Sequence, residues 1–230
     1  MSDLFSSYTY LGLTVTLAAY LFGVWLRKKT GKGWCNPLLM ACVLVIALLL
    51  LTHGEYADYQ KSANYVSYLL TPATVCLAIP LYRQLQQLRR NWKAILAGVL
   101  SGAVASMALV LLLALAFELD HAQYVTLLPK SVTTAIGMEL SSQAGGLTSI
   151  SVAAIVLTGI IGSITAHPVC KLMGITHPVA VGVACGTSSH VIGTSKAMEL
   201  GEVQGAISSL ATVTAGLLTA VLFSVFTALV

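Results

Sequence analysis

Apolar positions in this chain fall into long runs, without the alternation of a half-buried strand. The runs cover residues 4–26, 36–51, 65–82, 94–117, 147–166 and 204–230. A helical crossing needs about 20 largely apolar residues, so each run is read as a membrane span. The second is short but almost wholly aliphatic, and a polar hairpin, 53–62, follows it. The third contains Pro72 and Pro80, each of which removes a backbone donor. A broken or kinked helix is expected there, with Pro72, Thr74 and Pro80 as its broken-helix positions. Gly98 and Gly102 form a GxxxG suited to close helix packing in the fourth.

Two stretches, 124–146 and 178–200, are too polar for ordinary spans, yet they lie between apolar ones. The second holds His190, Lys196 and Glu199 among the hydroxyls of Thr187, Ser188, Ser189, Thr194 and Ser195. Ionisable groups at membrane depth usually face a bundle interior or a wet cavity. Glycines and hydroxyls in such a run suggest broken backbone against a protein-lined cavity. Eight spans result if both stretches cross, and six if both are re-entrant. The expectation is an all-α integral membrane protein with seven or eight transmembrane segments, some discontinuous or re-entrant, in one domain, 1–230. The loop 168–177, with His167 and His177 before prolines, is read as a connection.

Composition sharpens this picture. Of 230 residues, 57% are hydrophobic and only 9% charged, against about 25% charged in a soluble domain. The net charge of +4 points to topology rather than to nucleic acid. Arg27, Lys28, Lys29 and Lys32 follow the first span, and Arg83, Arg89, Arg90 and Lys93 follow the third. The positive-inside rule makes loops 27–32 and 83–93 cytoplasmic and puts the N-terminus outside. Cys35, Cys42, Cys76, Cys170 and Cys185 show no metal-ligand spacing and read as small apolar residues. No metal site and no cofactor is expected.

The segment 133–140 resembles 193–200: Met-Glu-Leu recurs after a small or hydroxyl-rich run, and glycine and a long apolar run follow both. Carriers built from structural repeats place polar sites in discontinuous helices at corresponding positions. Each polar stretch offers a lysine (Lys130, Lys196), a glutamate (Glu139, Glu199) and hydroxyls. Pro129 is read as opening a helix at Lys130, whose N-terminal N–H groups would attract an anion. Ser131, Thr133, Thr134, Thr187, Ser188, His190 and Thr194 would complete a substrate-binding site for a small carboxylate. A cation would want converging carboxylates. Glu139 and Glu199 have two open readings: carriers of a coupling proton or ion, or partners that neutralise lysine, as Lys196 and Glu199 could across one helical turn. No GxSxG, HExxH or Walker loop is present, and no enzymatic activity is expected.

Four motifs carry a resemblance to a known family: Asn36-Pro37-Leu38-Leu39; Leu70-Thr71-Pro72-Ala73-Thr74-Val75 running to Pro80-Leu81-Tyr82; Leu128-Pro129-Lys130-Ser131-Val132-Thr133-Thr134; and Gly186-Thr187-Ser188-Ser189-His190 followed by Ile192-Gly193-Thr194. The chain resembles the LrgB/CidB family over nearly its whole length. It departs from that pattern at Val181, where the family often has arginine, and at Ala135, where it often has proline. The resemblance implies a multi-pass protein of the bacterial inner (cytoplasmic) membrane. It is often paired with a small LrgA/CidA-type membrane protein, in a homo- or hetero-oligomer. Members are described either as holin- or antiholin-like modulators of murein hydrolases and autolysis, or as carriers of pyruvate, glycolate and glycerate. Buried lysine and glutamate in broken segments favour a monocarboxylate transporter over a pore.

Overall fold

A computed structural model describes residues 10–30, 36–69, 72, 75–76 and 78–229. Lys32, Cys35, Thr74 and the start of the first span lie outside the described residues. The chain divides into two compact units, Met1–Cys76 and Leu77–Val230.

The first unit holds α1 (Leu11–Thr30), α2 (Pro37–Thr52) and α3 (Tyr56–Ser67). Asn36 caps α2, its side chain accepting from Leu38 N–H at 2.9 Å, and Pro37 fills the first turn. That pairing of cap and proline starts helices efficiently. Gly23 lets α1 approach the Pro37 backbone, and Gly12 N–H donates to Ser62 Oγ of α3 at 2.6 Å. The polar hairpin expected over 53–62 is corrected: His53 turns the chain with φ 49°, and α3 begins three residues later. Its polar residues form one face of a helix whose other side meets α1. Pro72 is exposed.

The second unit opens with α4 (Ala78–Arg83), which contains Pro80, and α5 (Leu85–Ala116). It continues with α6 (His121–Leu127), α7 (Thr134–Gln143), α8 (Thr148–Leu172), α9 (Pro178–Leu200) and α10 (Glu202–Thr227). Among the described residues, three helices are long and apolar enough to cross a bilayer: Leu88–Ala116, Thr148–Leu172 and Glu202–Thr227; Pro37–Thr52 is a shorter apolar helix. The unit is all-helical and of membrane type, and these helices do not by themselves add up to seven or eight crossings.

α5 and α10 run side by side in the same direction. Ile95 and Val99 pack with Ile207, Ala211 and Ala215 at the near end, where α5 begins. Met107, Val110 and Ala114 pack with Phe223 at the far end. α8 runs back between the ends, from Ser151 beside Thr126 to Cys170 beside Val181.

Both polar stretches fold back on themselves. Ser151 Oγ lies 2.7 Å from the Thr126 carbonyl and 2.7 Å from Ser141 Oγ, so α6 and α7 lie together. A straight helix would hold Thr126 and Ser141 about 22 Å apart. The turn of this first hairpin is 128–133. The expected helix start at Lys130 is corrected: Pro129 closes a turn there, with Lys130 N–H bonded to Leu127 O and Val132 N–H to Pro129 O, and α7 starts at Thr134.

α9 keeps the expected bounds, with Pro178 in its first turn and Gly201 past its end, but breaks at His190, where φ is 43° and ψ −136°. Its arms, 178–189 and 191–200, form the second hairpin. Cys185 and Val181 share a core cluster with Ala197. A Cβ on Gly193 would strike the Cys185 carbonyl, and one on Gly182 would meet Ile207 just as Gly205 meets Met198. The first hairpin rises from the far end of the unit and the second from the near end. α8 also runs further than expected. Pro168 and His167 are helical, and the connection shrinks to 173–177. Proline costs a helix one hydrogen bond, which α8 absorbs in its last turns, next to a loop.

Candidate functional site

The turns of the two hairpins meet at an open groove of about 640 Å³ between α5, α8 and the first arm of α9. Lys130 and Ser131 line it from the first hairpin, and Thr187, Ser188 and Ser189 from the second. The Lys130 ammonium lies 3.2 Å from Ser106 Oγ on α5 and 3.2 Å from Ser131 Oγ, and those hydroxyls are 3.0 Å apart. Among the described residues no carboxylate pairs with Lys130. Thr187 is only 7% exposed, and its Oγ1 is a buried polar atom with no hydrogen-bond partner among the described residues. Ser188 Oγ donates to Ala184 O at 2.7 Å and lies 2.8 Å from Ser189 Oγ. Leu109, Ile161 and Val183 make the remaining wall apolar.

Small residues make the groove possible. Gly98 and Gly102 admit Val183 and Thr187 of α9, and Gly162 of α8 admits the Ser189 side chain. The GxxxG pair is thus spent inside the molecule. A second hollow of about 390 Å³, lined by Asn91, Ala94, His177 and Val179, shares Gly98, Val183 and Ala184 with the groove. Together they extend from the hairpin turns toward the near end. At the far end Tyr124, Val125 and Leu128 are fully buried against α5 and Phe223, and Tyr124 OH donates to Phe226 O at 2.9 Å.

The other expected site residues stand elsewhere. His190 is buried against α8, its Nε2 3.0 Å from Ile155 O and its ring over Gly159. Thr194 is buried beside α10, 2.9 Å from both Ser208 Oγ and Thr212 Oγ1. Lys196 pairs with Glu199 at 2.8 Å on a partly exposed face. Glu139 is exposed and accepts from Gln143 Nε2 at 2.7 Å. Thr133 and Thr134 are half-buried at the start of α7. The structure therefore brings together Lys130, Ser131, Thr187 and Ser188, and leaves His190, Thr194, Lys196, Thr133, Thr134 and both glutamates off the groove wall.

Sequence reasoning missed Ser106, Ser208 and Thr212. A signal existed for each: Ser106 extends the spacing of Gly98 and Gly102 by one more turn, and Ser208 and Thr212 lie four apart in an apolar run, on one helix face.

No solved structure matches the chain. It is similar to the antiholin-like protein LrgB of Bacillus subtilis (strain 168), 37% identical over 223 residues and covering 96% of each chain. The proteins of the same name from Bacillus mycoides (strain KBAB4) and Bacillus cereus (strain B4264) are each 34% identical, over 94% of this chain and 95% of theirs. The model of the LrgB-like family matches residues 16–229. With three apolar helices long enough to cross a bilayer and this agreement along nearly its full length, the chain is a multi-pass membrane protein that belongs to the LrgB-like family.

Proposed function

We propose that the protein carries small monocarboxylates, of the pyruvate, glycolate, glycerate or lactate class, across the bacterial cytoplasmic membrane. The observation behind this reading is Lys130, an ammonium whose partners among the described residues are hydroxyls, on a groove that also holds the Thr187 hydroxyl, without a partner among those residues. A charge without a counter-charge at such depth is costly, and a bound anion offsets that cost. Ser106, Ser131, Thr187 and Ser188 supply donors for a carboxylate and for an oxygen on the next carbon. The apolar wall suits a short carbon chain. Proton or ion coupling belongs to the same reading, although the Lys196–Glu199 pair favours mutual neutralisation over proton carriage.

Membrane placement follows from charge. Arg83, Arg89, Arg90, Lys93 and Lys171 gather toward the near end, and Glu118 and Asp120 at the far end. The positive-inside rule makes the near end cytoplasmic, and the basic end of α1 puts the N-terminus outside. With α8 the lone crossing between them, the hairpins enter from opposite faces as an inverted pair. The matching segments 133–140 and 193–200 then fall in the second arm of each. The hollow running past Asn91 and His177 supports a state open to the cytoplasm, closed outward by Tyr124 and its neighbours.

The name carried by the Bacillus relatives favours a second reading, an antiholin-like component acting on autolysis beside a small LrgA-type membrane protein. Uptake of labelled pyruvate or glycolate into proteoliposomes separates the two. Wild-type protein should accumulate label, and folded Lys130→Ala protein should lose at least about tenfold of the rate, because a hydrogen-bonded charge contributes about 1.5–3 kcal/mol. Unchanged uptake in that variant removes Lys130 from the site. Wild-type vesicles that leak a bulky dye but do not take up label favour the antiholin-like reading.

A further inference from the structure

Where α9 breaks, five oxygens converge on the side facing α10: the carbonyls of Gly186 and His190 and the hydroxyls of Thr194, Ser208 and Thr212. Thr194 Oγ1 lies 3.0 Å from His190 O, 2.9 Å from Ser208 Oγ and 2.9 Å from Thr212 Oγ1, and Thr212 Oγ1 lies 3.3 Å from Gly186 O. The three side chains are 1%, 0% and 5% exposed, so water does not compete for them. We propose that this cluster binds a monovalent cation of sodium size.

The donor set decides the class of ion. All five atoms are neutral oxygens, which suit a hard cation. No carboxylate stands among them to balance a second charge. The place also fits. The first arm of α9 ends here, so the Gly186 carbonyl lies toward the negative end of that arm's dipole. Interrupted membrane helices offer such carbonyls to sodium. Calcium, close to sodium in radius, takes oxygens at about 2.3–2.6 Å. Oxygens on a sphere of that radius, separated by about 80°, lie about 3.1 Å apart, within the spacing found. Potassium would need a wider shell. Without an ion, the same spacings serve hydrogen bonds among the hydroxyls, so loading requires rotation of hydroxyls and little movement of backbone.

A plain interhelical contact would need one hydroxyl pair. Here three hydroxyls and two carbonyls crowd one break, and Gly186 presses its backbone so close to α10 that a Cβ would strike the Ser208 carbonyl. Thr187, the next residue, lines the groove. An ion holding the Gly186 carbonyl therefore fixes the backbone that presents the Thr187 hydroxyl. Ion binding itself does not depend on which solute moves, or on whether one does.

The test is thermal unfolding of the purified full-length protein in detergent, titrated with NaCl, KCl or choline chloride at constant ionic strength. Sodium should raise Tm saturably, by about 3 °C at about ten times its Kd, with potassium weaker and choline without effect. Ser208→Ala and Thr212→Val should each demand at least about tenfold more sodium for the same rise, the loss of one strong oxygen contact. Equal responses to all three salts in wild type overturn the proposal, whether or not a variant folds. So does an unchanged sodium response in both variants. Carboxylate uptake is not the readout, so a failed carrier reading leaves this result standing.

Discussion

Thr187 shows how much one atom can reveal. A buried hydroxyl without a partner costs about 1–3 kcal/mol, and proteins rarely keep such groups idle. Thr187→Val keeps the branched shape that Gly102 accommodates and removes the orphan oxygen. In detergent the variant should melt no lower than wild type, and up to about 1 kcal/mol more stable. Carboxylate uptake should nevertheless fall about tenfold, since the hydroxyl then fails the bound anion. Loss of both stability and uptake would instead mark Thr187 as a packing residue. At this scale the sequence was partly legible. Lys130, Ser131, Thr187 and Ser188 are polar in an apolar context and reach one groove. Lys196 has the same composition around it but finds Glu199 one turn away, the pairing that its spacing allowed; Lys130 has no acidic residue three or four positions away.

Among the elements, the second hairpin depends on close backbone approach. Gly186→Ala would push a Cβ into the Ser208 carbonyl, which cannot swing aside, and should cost about 1–3 kcal/mol as overpacking. Gly98→Ala meets only Val183 Cγ1 at 3.0 Å, the end of a side chain. That cost is offset by the better helix propensity of alanine, about 1 kcal/mol, so its melting temperature should hardly move. Melting curves of the two variants check the contrast. The ends of α9 were legible because Pro178 and Gly201 mark helix boundaries chemically. Its break was not. His190 adopts a backbone conformation close to the first central position of a type II′ turn, where glycine is usual, and nothing local announces it. The ring's contacts with Ile155 and Gly159, made across thirty or so residues of chain, help to hold it there. Pro168 misled in the opposite direction, since a proline near a helix end is tolerated when the helix has tertiary support.

For the whole molecule, the decisive feature is that both polar segments return to the end they left. Ser142 and Glu118 flank the first hairpin, Met173 and Glu202 the second, and all four are exposed. Single cysteines at Glu118 and Ser142, in a background lacking native cysteines, should react with an impermeant thiol reagent from one face of oriented vesicles. Cysteines at Met173 and Glu202 should react from the other. Labelling of Glu118→Cys and Ser142→Cys from opposite faces would mean that the first segment crosses. Sequence composition could establish a helical membrane protein. It could not choose between crossing and returning, because both need the same length of half-polar helix, and the choice lies in pairings such as Thr126 with Ser151.

The turn at His190 also bears on how the chain is made. Each arm of α9 is too short to reach across a bilayer, and the pair carries carbonyls and hydroxyls that lipid would not satisfy. As synthesis proceeds, residues 178–200 emerge before their partners Ser208 and Thr212 exist. Until α10 is in place, the Thr194 hydroxyl lacks the Ser208 and Thr212 partners that it has in the folded protein.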